Sequence, residues 1–131
     1  MKRHPALVPL SHEHHHNLSF AQRLRRSFLN GDDSERVALL DIFRQQYAAP
    51  LEQHFQLEEA WLLPRLEETT GKRLLTEHRE LRELAAAPST DPLRLADALI
   101  AHVRFEEREL FPWLEQHLSA EQLTALATRL G

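Results

Sequence analysis

The chain has 131 residues, of which 42% are apolar and 27% are charged, a composition typical of one globular domain with a single hydrophobic core. The formal net charge of −4 argues against nucleic acid as the main partner, and the absence of cysteine excludes disulfides, thiolate metal sites and iron–sulfur clusters. No apolar run is long enough to span a membrane, and Pro5 and Pro9 interrupt the first apolar stretch too early for a signal peptide, so we expect a cytoplasmic protein.

The sequence begins with signals for two helices. Ser11 is a candidate N-cap for a first helix that ends near Asn30-Gly31, and residues 32–34 then cap a second helix. Pro50 falls inside the apolar pattern of the second helix, so we expect a kink or a short break there. Residues 69–71, Thr-Thr-Gly, are expected to close this segment.

Three further helices follow. A third runs through LLTEHRELRELAA and stops before Pro88, and Asp91-Pro92 is an N-cap and N1 pair for a fourth helix over about 92–117. Ser119 and Gln122 form a capping box for a short fifth helix that ends at Leu130.

Glycine is scarce, Leu, Ala, Glu, Gln and Arg dominate, and no stretch alternates like a half-buried strand. We therefore predict an all-α fold, an up-down-up-down four-helix bundle with a short C-terminal fifth helix. No linker is long enough to divide the chain, so residues 1–131 are predicted to be a single domain.

One segment of the second helix recurs in the fourth. Residues 54–64 read HFQLEEAWLLP and residues 102–112 read HVRFEERELFP. When residues 54–67 are compared with the residues 48 positions later, seven pairs are identical, and they include one His, three Glu and one Pro. A shared amphipathic pattern explains the matching leucines, but it does not explain the matching His, Glu and Pro. The repeat indicates two related helix pairs facing each other across a pseudo-twofold axis.

Each repeat places an imidazole and a carboxylate on one apolar helix face. His54 precedes Glu58 by four residues, and His102 precedes Glu106 by four, which makes each pair neighbours on a helix. A carboxylate is costly to bury unless it is neutralised, paired or bound to a metal. The alternative is a solvent-exposed pair that stabilises a helix by a few tenths of a kcal/mol. Two copies on core-facing stripes favour a site for iron, manganese or zinc.

The first and third helices each offer a further histidine. His78 lies in register with leucines of the third helix and is predicted to point inward. Four histidines crowd into residues 12–16, and among them His14 matches the apolar face of the first helix best, with His15 as the fallback. Glu59 and Glu107 are predicted to face mostly solvent, although their duplication allows a contact to the ligands from outside the site.

These motifs together resemble the hemerythrin-like, or HHE cation-binding, domain from about Leu10 to Leu118. The resemblance rests on Glu13-His14, on Glu77-His78 and on the two repeats, in this order. It implies a four-helix bundle that holds two non-haem iron ions with an oxo or hydroxo bridge. By position, the resemblance implies that His14 and His54 bind one iron and that His78 and His102 bind the other. It implies that Glu58 and Glu106 bridge the two ions.

The resemblance leaves several functions open. Leu74 stands where oxygen-carrying members of the family have another histidine ligand. Fewer histidine ligands would leave more coordination positions on the iron for water, oxygen, peroxide or nitric oxide. The first hypothesis is therefore an iron protein that binds or senses such a small molecule. The second is an enzyme acting on peroxide or nitric oxide, or an iron donor that repairs iron centres. The third is a helical interaction protein with incidental histidines.

Overall fold

The computed structural model of the chain describes residues 3–87 and 90–130, with the backbone alone at residue 130. Within these ranges the ordered elements are helices and no strand occurs, so the prediction of an all-α fold is confirmed. None of the helices in these ranges combines the length and the apolar character that crossing a bilayer requires.

The first long helix, α1, spans Val8–Leu29 and follows a 3-10 turn at Pro5–Leu7. It ends where Gly31 adopts a φ of +68°, a left-handed conformation that glycine accepts without strain. The predicted N-cap at Ser11 is wrong. Because Pro9 suits the first turn of a helix, α1 begins one turn earlier, and the Ser11 hydroxyl donates instead to the carboxylate of Glu107.

The second segment is one long helical run in which α-helical and π-helical turns alternate. Its parts are α2 (Asp33–Ile42), a π-helical turn (Phe43–Tyr47), α3 (Ala48–Leu57), a second π-helical turn (Glu58–Leu62) and a 3-10 turn (Leu63–Arg65). Asp32 caps the run as predicted, since its side chain accepts from the backbone N–H of Glu35 at 3.0 Å. Pro50 lies inside α3. The kink or break expected there takes the form of the π-helical turn Phe43–Tyr47, which ends three residues before Pro50.

The third segment is α4, Glu68–Ala86. The expectation that residues 69–71 close the preceding helix is wrong, because these residues lie in the first turn of α4. Gly71 packs closely there, since a Cβ on it would lie 3.1 Å from Cδ1 of Leu63, and Leu63 would have to shift by a few tenths of an ångström to admit a larger residue. The helix ends at Ala86, consistent with the expected stop, while Pro88 itself lies outside the described residues.

The fourth segment repeats the pattern of the second. It consists of α5 (Pro92–Phe105), a π-helical turn (Glu106–Leu110) and α6 (Phe111–His117), and α7 (Ala120–Leu130) follows it. Asp91 caps α5 as predicted, accepting from the backbone N–H of Leu93 at 2.9 Å. The capping box before α7 is also present, because Ser119 and Gln122 exchange side-chain to backbone hydrogen bonds of 2.9 and 3.1 Å.

The helices enclose two apolar clusters, and α1 and α4 both pack along α5. One cluster contains Phe20, Leu24, Phe43, Leu81, Leu95 and Leu99, and the other contains Leu7, Leu62, Leu74, Leu110, Leu114 and Leu126. Along α4 the chain passes from the second cluster at Leu74 to the first at Leu81, and His78 lies between them. The predicted site therefore occupies a polar layer between two apolar clusters.

Candidate metal centre

Two carboxylates are buried in this layer. Glu58 is 4% exposed and Glu106 is 2% exposed, and each lies at the start of a π-helical turn. Oε1 of Glu106 lies 3.3 Å from Nε2 of His102, and its Oε2 lies 3.4 Å from Nε2 of His14. Oε1 of Glu58 lies 3.3 Å from Nε2 of His78. Glu106 thus spans two histidines from different helices.

His78 supplies the clearest test of whether these residues fit a metal ion. Its ring is fully buried, and Nδ1 lies 2.7 Å from Oε2 of Glu59. Because an ionised carboxylate only accepts hydrogen bonds, Nδ1 carries the proton and Nε2 keeps its lone pair. That Nε2 has no hydrogen-bond partner among the described residues, although buried polar atoms are generally paired. An unpaired imidazole nitrogen beside a buried carboxylate fits a metal ion.

The donor atoms needed by one ion lie close together. Single donor atoms of Glu58, His78 and His102 are within 4.8 Å of one another, and all three residues are buried. Two imidazoles and a carboxylate suit iron, manganese or zinc. Of the six residues predicted from the sequence, these three form the most compact group, and Glu106 connects it to His14.

Three of the histidines share a second feature, an outward Nδ1 hydrogen bond to a glutamate. Besides His78 with Glu59, Nδ1 of His14 lies 2.6 Å from Glu107, and Nδ1 of His102 lies 2.8 Å from Glu77. Such bonds fix the tautomer and orientation of metal-binding histidines. Glu59 and Glu107 are half-buried against these rings, so they do not face mostly solvent. They agree instead with the alternative that their duplication allowed, a contact to the ligands from outside the site.

Sequence reasoning missed the role of Glu77. Its place next to His78 is part of the Glu-His motif, but its carboxylate contacts His102 on another helix. The carboxylate of Glu13, in the first Glu-His motif, likewise contacts a histidine of another helix, since one of its oxygens lies 3.4 Å from Nε2 of His54. The recurrence of Glu-His in two helices was the available signal.

The two buried carboxyl groups differ in charge when no metal ion is bound. Burial raises the pKa of Glu58 well above its usual value, and the negative charge of the neighbouring Glu106 adds to this effect. Burial also disfavours ionisation of Glu106, but His102 and His14 outweigh it and hold the Glu106 pKa well below its usual value. One carboxyl of the pair therefore keeps its proton while the other is ionised.

The histidines respond to the same charges. Burial lowers the pKa of His14, but its hydrogen bonds to Glu106 and Glu107 prevail and raise the pKa to about 9. Burial also opposes the charge on His102, and Glu106 and Glu77 raise its pKa to about 9. For His78, burial dominates over Glu59 and the pKa is lowered, which keeps this imidazole neutral and ready to bind a metal.

His54 is placed differently from the other three histidines. Its side chain is 27% exposed, and its Nε2 points towards Glu13, at 3.4 Å from an oxygen of that exposed carboxylate. Among the described residues, neither Glu58 nor Glu106 lies within ion-pair distance of it. The structure therefore brings five of the six predicted residues together and leaves His54 at the edge.

A cavity of about 240 Å³ lies next to His54. His14, His102, Glu58 and Glu106 line its inner part together with apolar side chains, and exposed His16 and half-buried Tyr47 line its outer part. The choice of His14 over His15 agrees with this geometry, because His14 lines the cavity and His15 is exposed. Small molecules from solvent have a route to the polar layer here.

A comparison with known protein families gives a match over most of the chain. The family model described as hemerythrin HHE cation binding domain matches residues 6–114. No curated protein and no solved structure matches the chain.

Proposed function

Because the chain belongs to the hemerythrin HHE cation-binding family, we propose that its polar layer holds two iron ions and, through them, binds or senses oxygen, peroxide or nitric oxide. In this proposal His14 and His54 bind one iron, and His78 and His102 bind the other. Glu58 and Glu106 bridge the two, within an up-down-up-down arrangement of the four helical segments. Bound iron would supply the coordination position that the small molecule needs.

The unpaired Nε2 of His78 is the observation that carries the proposal. It is buried beside Glu58 and His102, and a buried polar atom without a partner costs free energy. The contacts of Glu106 to both His14 and His102 support its role as a bridge. The donor set itself is compatible with iron, manganese and zinc, and the family favours iron.

Metal analysis and absorbance test the proposal. Protein produced with iron should contain about two iron ions per chain and show the near-ultraviolet band of a bridged ferric pair. His78→Gln should lose the band and most of the iron, whereas His117→Gln, which alters an exposed histidine outside the layer, should keep both. Less than about one metal ion per chain in the wild type, without the band, would contradict the proposal.

The second candidate is an enzyme that uses the same centre on peroxide or nitric oxide, or an iron donor. The cavity favours it, because about 240 Å³ exceeds the room that a diatomic ligand needs. Turnover distinguishes the candidates: repeated consumption of peroxide or nitric oxide by the iron-loaded protein would indicate an enzyme. Binding of one equivalent without further consumption would indicate a binding protein. The cytoplasmic location expected from the sequence stays a prediction.

A further inference from the structure

The ring of His78 contacts two side chains, and a third side chain contacts both of these. Nδ1 lies 2.7 Å from Oε2 of Glu59, and the ring stacks on Phe55 with 3.9 Å between centroids. Arg82 contacts both partners, because its Nη1 donates to the same Glu59 oxygen at 2.8 Å and its guanidinium carbon lies 5.5 Å from the centre of the Phe55 ring. We call this combination of Arg, Glu and Phe around one histidine an Arg/Glu/Phe set.

His14 has a second Arg/Glu/Phe set built from different elements. Glu107 lies 2.6 Å from Nδ1, and Phe111 stacks on the ring with 5.1 Å between centroids. Arg3 comes from the segment before α1, and its Nη2 lies 3.4 Å from the Glu107 carboxylate and 2.7 Å from the Glu107 backbone oxygen. Its guanidinium carbon is 5.4 Å from the centre of the Phe111 ring.

His102 has the third set. Glu77 lies 2.8 Å from Nδ1, and Phe105 is tilted against the ring at 6.5 Å between centroids. Arg73 donates from Nε to the other Glu77 oxygen at 3.0 Å, and its guanidinium carbon lies 4.5 Å above the Phe105 ring. The stacking on the histidine is looser here, but the same kinds of side chain contact each other in the same order.

His54 has no such set among the described residues. Its ion pair is with Glu13, which is 51% exposed, and it lines the cavity. The three histidines with a set have side chains exposed by 0%, 6% and 15%, against 27% for His54. The least restrained histidine is thus the one beside the route to solvent.

We propose that Arg3, Arg73 and Arg82 are positioning residues of the metal centre, each fixing one imidazole so that its Nε2 faces the buried carboxylates. Arginine suits this role because it stays charged, donates in a planar fork and stacks on an aromatic face. Through the glutamate it fixes the Nδ1–H tautomer, and through the phenylalanine it fixes the ring plane. That the fixed histidines bind metal rests on the proposed function, whereas the fixing itself does not.

The alternative is that these arginines form ordinary surface ion pairs. Such pairs contribute little to stability, and they have no effect on a metal bound elsewhere. The two explanations differ in what they predict for the histidine ring and for metal release, so both quantities should be measured.

Arg82 offers a matched series of variants. Arg82→Ala removes the contacts to Glu59 and Phe55 together with an ion pair to Glu52. Arg82→Lys keeps the charge but loses the planar fork, and Arg79→Ala alters an exposed arginine on the same helix with no ion pair among the described residues. The first readout uses metal-free protein: in nitrogen-detected NMR of the imidazoles, the Nδ1–H tautomer of His78 should be fixed in the wild type and in Arg79→Ala, and should be lost or averaged in Arg82→Ala.

The second readout is the rate at which loaded iron passes to a chelator, measured well below the melting temperature of each variant. Loss of outer partners of metal-bound histidines weakens binding roughly 10–100-fold, so we expect release from Arg82→Ala to be about tenfold faster. Arg82→Lys should lie between Arg82→Ala and the wild type, and Arg79→Ala should match the wild type. If Arg82→Ala fails to fold, Arg3→Ala supplies the iron-release measurement for His14, and the His14 tautomer is read well above pH 9, where the metal-free ring is neutral.

The outcomes separate this inference from the proposed function. An unchanged His78 tautomer or unchanged iron release in Arg82→Ala would overturn the positioning role. Absence of bound iron in the wild type would overturn the proposed function, and the NMR measurement on metal-free protein would still decide whether Arg82 fixes the ring. A change of equal size in Arg79→Ala would also overturn the role, because it would show a general effect of losing charge.

Discussion

The two nitrogens of an imidazole have separate tasks in this protein. In His14, His78 and His102 the Nδ1 edge is hydrogen-bonded outward to a glutamate, and Nε2 faces a buried carboxylate. An outward bond of this kind makes Nε2 the better electron donor and holds its direction. The direction of Nε2, rather than the number of histidines nearby, therefore decides which histidines belong to the centre.

Glu106→Gln tests the bridge at the residue scale. A glutamine has a similar shape but only one carbonyl oxygen, so it cannot present an oxygen to both His14 and His102. We expect iron content to fall from about two ions per chain to about one or fewer, with affinity reduced more than about tenfold. Metal titration of the purified variants measures this, and Glu83→Gln, on an exposed position of α4, is the control. Two ions bound with wild-type affinity would show that Glu106 is not a bridge.

The raised pKa values of His14 and His102 predict how the metal-free protein responds to pH. Both values are about 9 in the folded chain, against about 6.5 in an unfolded one. Their contribution to stability is therefore complete below about pH 6.5 and is lost as the pH rises through about 9. The melting temperature of chelator-treated protein should fall between pH 6.5 and 9. Changing both histidines to Gln should flatten this fall, and a melting temperature that rises over the range would contradict the prediction.

At the scale of the helices, the three π-helical turns all precede a proline. The wide hydrogen bonds end at Ala48, Leu63 and Phe111, and Pro50, Pro64 and Pro112 follow within two residues. Proline has no N–H and its ring collides with the carbonyl four residues earlier, so a wider turn relieves both problems. Two of these turns begin at Glu58 and Glu106, which gives the duplicated prolines a direct structural consequence at the site.

The helix α7 lies beyond the matched family residues 6–114, and its role is packing. Leu126 is fully buried in the cluster that also contains Leu7 and Leu114. Leu126→Ala should therefore lower the free energy of unfolding by about 2–5 kcal/mol. Iron content of the folded protein should be unchanged, because α7 provides no residue of the polar layer. Denaturant unfolding measures the loss, with Leu29→Ala, at 65% exposure, as the control. Loss of iron without loss of stability would contradict this role.

Local signals predicted most of the elements and part of the site. Asp32, Asp91 and the Ser119–Gln122 box mark helix starts because capping is a contact between near neighbours in the chain. Helical period also selected His14 over its neighbours. The π-helical turns were missed because one extra residue hardly disturbs an apolar stripe. The role of Glu77 was missed because its partner His102 lies in another segment, and sequence spacing does not specify contacts between segments. The arginines were missed because they act through these glutamates, so even Arg82, which lies in α4 with His78, gave no signal of its own.

At the scale of the whole molecule, the two repeats have become unequal. Glu58 with His78 matches Glu106 with His14, and Glu59 with His78 matches Glu107 with His14, as a pseudo-twofold relation requires. The relation fails at His54 and His102, since the first is partly exposed and the second is buried. Identical motifs thus leave His54 partly exposed and His102 buried, because the surrounding residues differ.

The position of the polar layer between two apolar clusters predicts a strong effect of metal removal. Without a metal ion, the layer buries carboxyl and imidazole groups whose desolvation is costly, and Nε2 of His78 has no partner among the residues that the structure describes. A metal ion that binds only the folded chain stabilises it by about 4 kcal/mol at a free concentration near 1,000 times its Kd. Removing iron with a chelator should therefore lower the melting temperature on the order of 10 °C, and adding iron back should restore it.

Thermal unfolding followed by circular dichroism measures this shift, and two variants locate its origin. His117→Gln should show the full difference between iron-loaded and metal-free protein, because His117 is exposed and lies outside the layer. His78→Gln should show little difference between iron-loaded and metal-free protein, because it lacks one of the three buried donors that lie closest together. Equal melting temperatures for loaded and metal-free wild type would mean that the metal does not bind in the layer. A full shift in His78→Gln would place the stabilising ion elsewhere in the protein.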